Sequence, residues 1–216
     1  MAYDNLQELP TPNTIPAGPG FVSQTITDNS PGMVHNLNSG GSISVKFSGN
    51  YWTIAIAYPQ LTIAEGNTII PFLYSLQGAF TNFYVQLPTY INPTAGIWSA
   101  VPLASEVSMG SNANQVDVSE WAANIAASGS TLAAGDMIKF TNSNKIYMIV
   151  ATSLNADIMT ITLNTEVADT AAMAAATLEP NDIKFRVRIE GQAPKASLNA
   201  DGLYEGFSMS LRENIL

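Results

Sequence analysis

His35 is the sole histidine of this 216-residue chain, and cysteine is absent. A histidine-based triad would need that one residue; metal sites built on paired histidines or thiolates, thiol nucleophiles and disulfides are excluded. His35 sits in the run DNSPGMVHNLNSGG, which reads as a turn-rich surface loop. Asp117 with Glu120 and Glu179 with Asp182 place carboxylates three residues apart, but no DxDxDG loop accompanies them, so they read as helix-end and turn chemistry. There is no P-loop, no GxGxxG after a strand, no nucleophile elbow and no HExxH. Glycosidases with paired carboxylates leave no short signature, yet the Trp and His that usually surround such pairs are scarce here. We therefore assign no catalytic residue, metal ligand or cofactor, and expect a non-enzymatic protein.

Two sets of residues suit binding instead. Lys184, Arg186 and Arg188 fall at alternating positions of IKFRVRIE, so three of the eight basic residues share one strand face. Such a row can meet a carboxylate-rich neighbour, or lie solvated and balanced by Glu190. Tyr51, Trp52, Tyr58, Phe80, Phe83, Tyr84 and Tyr90 can form a sugar-stacking platform, but their placement beside an amphipathic helix favours core packing.

The elements that hold these residues read clearly in places. Tyr51 to Tyr58 alternates as a strand, Thr62 and Glu65 have capping-box spacing, and Ile69, Phe72, Leu73 and Leu76 form one apolar stripe of a helix over 62–77 that Gly78 should end. Pro71 should kink that helix. Further strands are expected over Phe21–Thr27, Ser42–Ser48, Phe80–Leu87, Ile183–Glu190 and Leu203–Leu211, with Gly49-Asn50 closing a hairpin between the second strand and Tyr51–Tyr58. Asp136–Thr141, Lys145–Ala151 and Asp157–Leu163 form a meander. SEWAANIAA, capped by Ser119 with Trp121 and Ile125 on one face, and the Ala-rich TAAMAAATLEP read as helical. Residues 1–20 carry Pro10, Pro12, Pro16 and Pro19 and should run as an extended arm over their own domain or a neighbour.

The expected architecture is mainly β with a few helices (α+β): a β-sandwich-like framework of residues 21–96 and 182–216 with one packed helix, and an inserted small β unit over 97–181. Charged residues are only 12% of the chain, about half the usual share, so its surface rests on Ser, Thr, Asn and Gln and favours association. The net charge of −9 repels phosphate backbones and anionic headgroups, and no apolar stretch is long enough to span a bilayer. Neither a nucleic-acid partner nor membrane insertion is expected. The N-terminal MAYDNLQELPTPN has no basic and apolar regions of a secretory signal, which fits a protein made and kept in the cytosol.

Three blocks carry a family resemblance: Tyr51–Leu87, with its helix opening LTIAE and ending SLQG before AFTNFYVQL; the meander GDMIKFTNSNKIYMIV; and the end YEGFSMSLREN. In this order they resemble tail components of tailed bacteriophages, of the distal tail or minor tail type found at the tail tip or baseplate. The resemblance implies a virion structural subunit, assembled in host cytoplasm. It further implies a partnership with other copies in a ring, hexameric being one form, and with tail tube, hub or fibre proteins. The rival reading is a carbohydrate-binding β-sandwich serving receptor attachment, which would show an exposed aromatic pair beside polar hydrogen-bonders.

Overall fold

The computed structural model describes residues 6–14, 17–38, 40–47, 49–98, 107–121, 123, 131–167 and 176–215. Its α-helix α1 (Ile63–Ser75) begins where the capping box predicts. Thr62 is extended (φ −65°, ψ 161°), its Oγ1 accepts the Glu65 N–H at 3.3 Å, and the Thr62 N–H donates to Glu65 Oε2 at 2.8 Å. Two otherwise orphaned donors are thus satisfied within four residues. Ile69, Leu73 and Leu76 are buried, while Phe72 is half-buried and meets the Phe83 ring edge-on at 5.6 Å. Pro71 lies inside the helix and offers the Asn67 carbonyl no N–H. Gln77 (φ 53°) is the first left-handed residue after the helix, and the expected Gly78 also takes a positive φ (72°) as it opens a 3-10 turn over Gly78–Phe80. Phe80, expected to begin the next strand, belongs to that turn, and β5 spans only Phe83–Gln86.

The chain forms two compact units, residues 1–83 with 187–214 and residues 84–186 with 215–216. The first unit holds β1 (Ser23–Asn29), β4 (Tyr51–Ala57) and β13 (Ser208–Glu213), and the chain crosses between units within β5 and β12 (Lys184–Ile189). These strands are ordered β1-β4-β13-β12-β5, antiparallel from β1 to β12. Strand alternation sends Trp52, Ile54, Ile56, Val187, Ile189, Met209 and Leu211 to one face, where all are buried. Glu213 is buried among them and accepts the Trp52 N–H at 3.1 Å. Tyr58 packs between Phe21 and Phe207, with ring centroids at 5.2 and 5.0 Å. Of the Pro-rich start, Leu9, Pro10 and Thr11 are buried against their own chain.

The expected pairing of Ser42–Ser48 with Tyr51–Tyr58 does not form. β3 (Ser42–Lys46) pairs instead with β2 (Gly32–Asn36), a strand in what reads as loop, and β4 pairs with β1. The two ladders are concentric: Asn29 faces Tyr51, then Gly32 faces Lys46, so residues 23–57 form one long hairpin with its tip near 37–41. Between the ladders the outgoing strand has residues 30 and 31 and the returning strand has 47–50, an offset of the bulge kind. Gly49 takes φ +99° there, and Asn50 Nδ2 donates to Ser30 Oγ at 2.5 Å. Gly49-Asn50 therefore lies in the link between the two ladders and does not close a turn.

In the second unit, β8 (Met137–Phe140), β9 (Ile146–Asn155) and β10 (Ile158–Leu163) form the predicted meander. β6 (Val107–Met109), β7 (Gln115–Val118) and β11 (Leu178–Glu179) extend it to a six-stranded order, β11-β8-β9-β10-β7-β6. Trp98 and Trp121 (5.3 Å between rings) share its core with Val116, Val118, Ile138, Phe140, Ile149 and Ile161. The buried Asp136 ties loops together, accepting the Thr94 N–H at 2.8 Å, the Thr94 hydroxyl at 2.7 Å and the Ala133 N–H at 2.8 Å. Of the SEWAANIAA helix, Trp121 and Ala123 are helical, while Ile125 and most of the rest lie outside the described residues. Of TAAMAAATLEP, residues 170–175 lie outside as well, and its end is strand β11 because it pairs with β8 at Leu178↔Phe140. The fold is mainly antiparallel β with α1, a β-sandwich-like α+β arrangement.

Candidate assembly interface

The predicted row Lys184, Arg186, Arg188 lies on β12 opposite the buried Phe185, Val187 and Ile189, so alternation turns all three cations to the other face. Their settings differ. Lys184 Nζ pairs with Asp182 at 3.3 Å; Arg186 is half-buried; Arg188 is exposed. Arg188 stands directly across from Arg212 of β13, and Arg212 lies over the Tyr51 ring at 3.8 Å, in cation–π range. Two like charges facing across a ladder cost about 0.2–1 kcal/mol, so the pair is retained against local stability. Glu190 counterbalances in part and accepts the Ser210 hydroxyl at 3.1 Å. Around them the face carries Thr53, Ala55, Ala57, Ser208 and Ser210, short side chains that leave it flat.

A second surface escaped the sequence reading. The β2/β3 ribbon exposes Met33 (55%), Val34 (67%), Ile43 (52%), Val45 (46%) and, just beyond it, Phe47 (49%). Met33 faces Val45 and His35 faces Ile43, so these four side chains share one side of the ribbon. The signal was partial: SISVK alternates, and GMVHN offers Met33 and Val34, on either side of LNSGG. His35 is exposed here as expected, though on a strand and not in a loop.

The remaining candidates serve structure. Asp117 accepts the Thr160 hydroxyl at 2.6 Å, Glu120 adopts φ 53° just before Trp121, Glu179 pairs with Lys139 at 2.9 Å, and Asp182 accepts from the Gln86 amide. Among the described residues no group of three His, Cys, Asp or Glu side chains is placed to hold a metal. Trp52, Tyr58 and Phe83 are core, as the sequence favours, while Phe80 is 91% exposed. The exposed Phe47, Tyr74 and Phe80 make no ring contact with one another among the described residues. No helix among them is long and apolar enough to cross a membrane.

Two β units, an exposed apolar ribbon and a pair of cations across β12 and β13 are the features of a β-rich protein with surfaces suited to meeting other proteins. Comparison with known proteins shows what the chain is similar to. Residues 9–90 match the family model for distal tail protein pb9, A domain, N-terminal, a stretch that holds β1–β4, α1 and β5. Over 215 residues the chain is 29% identical to distal tail protein pb9 of Escherichia phage T5, covering 96% of this chain and 99% of that protein. Together these likenesses support a bacteriophage tail protein, with a structural role at the tail end and a place in the virion tail among other tail components.

Proposed function

We propose that this protein builds a ring at the tail end by contact between neighbouring copies, and that the ring joins the tail tube to hub or fibre proteins after assembly in the host cytoplasm. In this reading residues 21–96 and 182–216 are the ring-forming framework, residues 97–181 are an insertion carried on it, and the chain has no catalytic role. The observation that carries the proposal is the β2/β3 ribbon. A two-stranded hairpin is marginally stable alone in water, and this one leaves Met33, Ile43 and Val45 about half exposed along one side. Covering that side with a neighbouring copy satisfies both needs, and a lasting contact should bury at least about 1,000 Å² per pair.

The test is the mass of the purified protein in solution, followed by two-dimensional averaging of particles, for the natural chain and for Ile43→Asp with Val45→Asp. Rings from the natural chain and monomers from the folded variant are expected. A natural chain that stays monomeric at every concentration, together with its absence from purified virions, would refute the reading.

A further inference from the structure

From the placement of the cations we infer that the β12/β13 face, centred on Arg188 and Arg212, is the half of a head-to-tail contact that receives carboxylates of a second copy of this chain. The inference rests on the ring reading above and names the chemistry of a contact within it. Within the first unit Arg188 of β12 and Arg212 of β13 face each other here, with Glu190 beside them on the Ser210 hydroxyl, and Lys184 and Arg186 precede Arg188 at alternating positions of the same strand. The chain's 17 acidic residues outnumber its eight basic ones, so the rest of a second copy carries a net acidic balance. The face is therefore complementary to its own chain's remaining surface and repulsive to itself.

That asymmetry has a geometric consequence. A two-fold dimer brings the same patch of both copies together, and two basic faces opposed in that way repel. The contact must join the basic face of one copy to a different, acidic surface of the next. Repeated, such a heterologous contact either closes into a ring or runs on as a filament. The local structure suits the task. Arg212, laid over Tyr51, keeps its guanidinium in one orientation. Arg188 opposite it is exposed and makes no ion pair among the described residues. The surrounding Thr53, Ala55, Ser208 and Ser210 are short enough to let carboxylates approach both guanidinium forks.

The experiment uses the full chain with Arg188→Glu and Arg212→Glu together, and Val45→Asp as a separate variant of the ribbon. Association is followed by sedimentation at low and raised salt, and denaturation midpoints establish that each variant is folded. The natural chain should associate less as salt rises. The double variant should associate about tenfold or more weakly at low salt, with a flattened salt dependence. Mixed below equal amounts with natural chain, it should also act as a terminator and convert rings to open arcs, because it keeps the acidic half of the contact and lacks the basic half. If Val45→Asp disrupts rings while the double variant assembles and closes like the natural chain, the inference fails and the ring reading stands. If the natural chain never self-associates, the ring reading fails first. Rings unaffected by the double variant, with loss only of binding to another tail component, would overturn the assignment of a second copy as the partner.

Discussion

Gly66 in the first turn of α1 offers a test in which the sign of the effect reverses with a second substitution. A Cβ added there would fall inside the Tyr204 ring at Cδ2 and Cε2, with Cγ at 3.1 Å. Tyr204 has little room to withdraw, because its N–H donates to the Leu61 carbonyl at 2.9 Å and its carbonyl accepts the Leu61 N–H at 3.0 Å. Elsewhere in a helix Gly→Ala gains about 0.5–1 kcal/mol from reduced chain entropy. Forcing an extra methyl against a held ring costs about 1–3 kcal/mol. Gly66→Ala should therefore destabilise by up to about 2 kcal/mol in the natural chain. In a Tyr204→Ala background, where the ring is gone, the same change should stabilise by about 0.5–1 kcal/mol. The coupling energy from a urea-denaturation cycle should be about 1–3 kcal/mol. An effect of the same size and sign in both backgrounds would show that the ring does not occupy this space and refute the reasoning.

Three further outcomes are expected. Leu73→Ala should cost about 2–5 kcal/mol by opening a cavity, whereas Thr62→Ala should cost about 1 kcal/mol as a lost cap; an unchanged urea midpoint for Leu73→Ala would contradict its burial. The Thr62 penalty should shrink in acid, since hydrogen bonds from Thr62 hold the Glu65 carboxyl below its usual range and that support is lost as pH falls through the lowered value. Burial pushes the Tyr58 hydroxyl above its ordinary value of 10.0, so its contribution is intact below that pH and is lost above it. Stability measured above about pH 10 should fall by up to about 1.4 kcal/mol per pH unit, and Tyr58→Phe should flatten that limb. In the second unit Asp136→Ala strands three donors and should cost on the order of 2–3 kcal/mol, read as a lowered melting midpoint in tryptophan fluorescence.

The sequence by itself determined the features whose physics closes within a few residues. The Thr62–Glu65 cap, the stripe through Ile69 and Leu73, the alternation of β12 and the β8–β10 meander all follow from periods of 3.6 or 2 and from hydrogen bonds between near neighbours. The character of the Lys184, Arg186, Arg188 row was legible for the same reason. Only the tertiary structure decided what lies across from what. Gly49-Asn50 is locally the same dipeptide whether it closes a turn or links two ladders. The choice fell to β4, whose Trp52, Ile54 and Ile56 are buried on a sheet face it shares with β1 and β13, leaving β3 to pair outward with β2. Arg212 stands opposite Arg188 across a ladder between strands distant in sequence, so nothing in either strand alone announces that pair of cations. Register is a property of two strands at once, and its energy cannot be read from one.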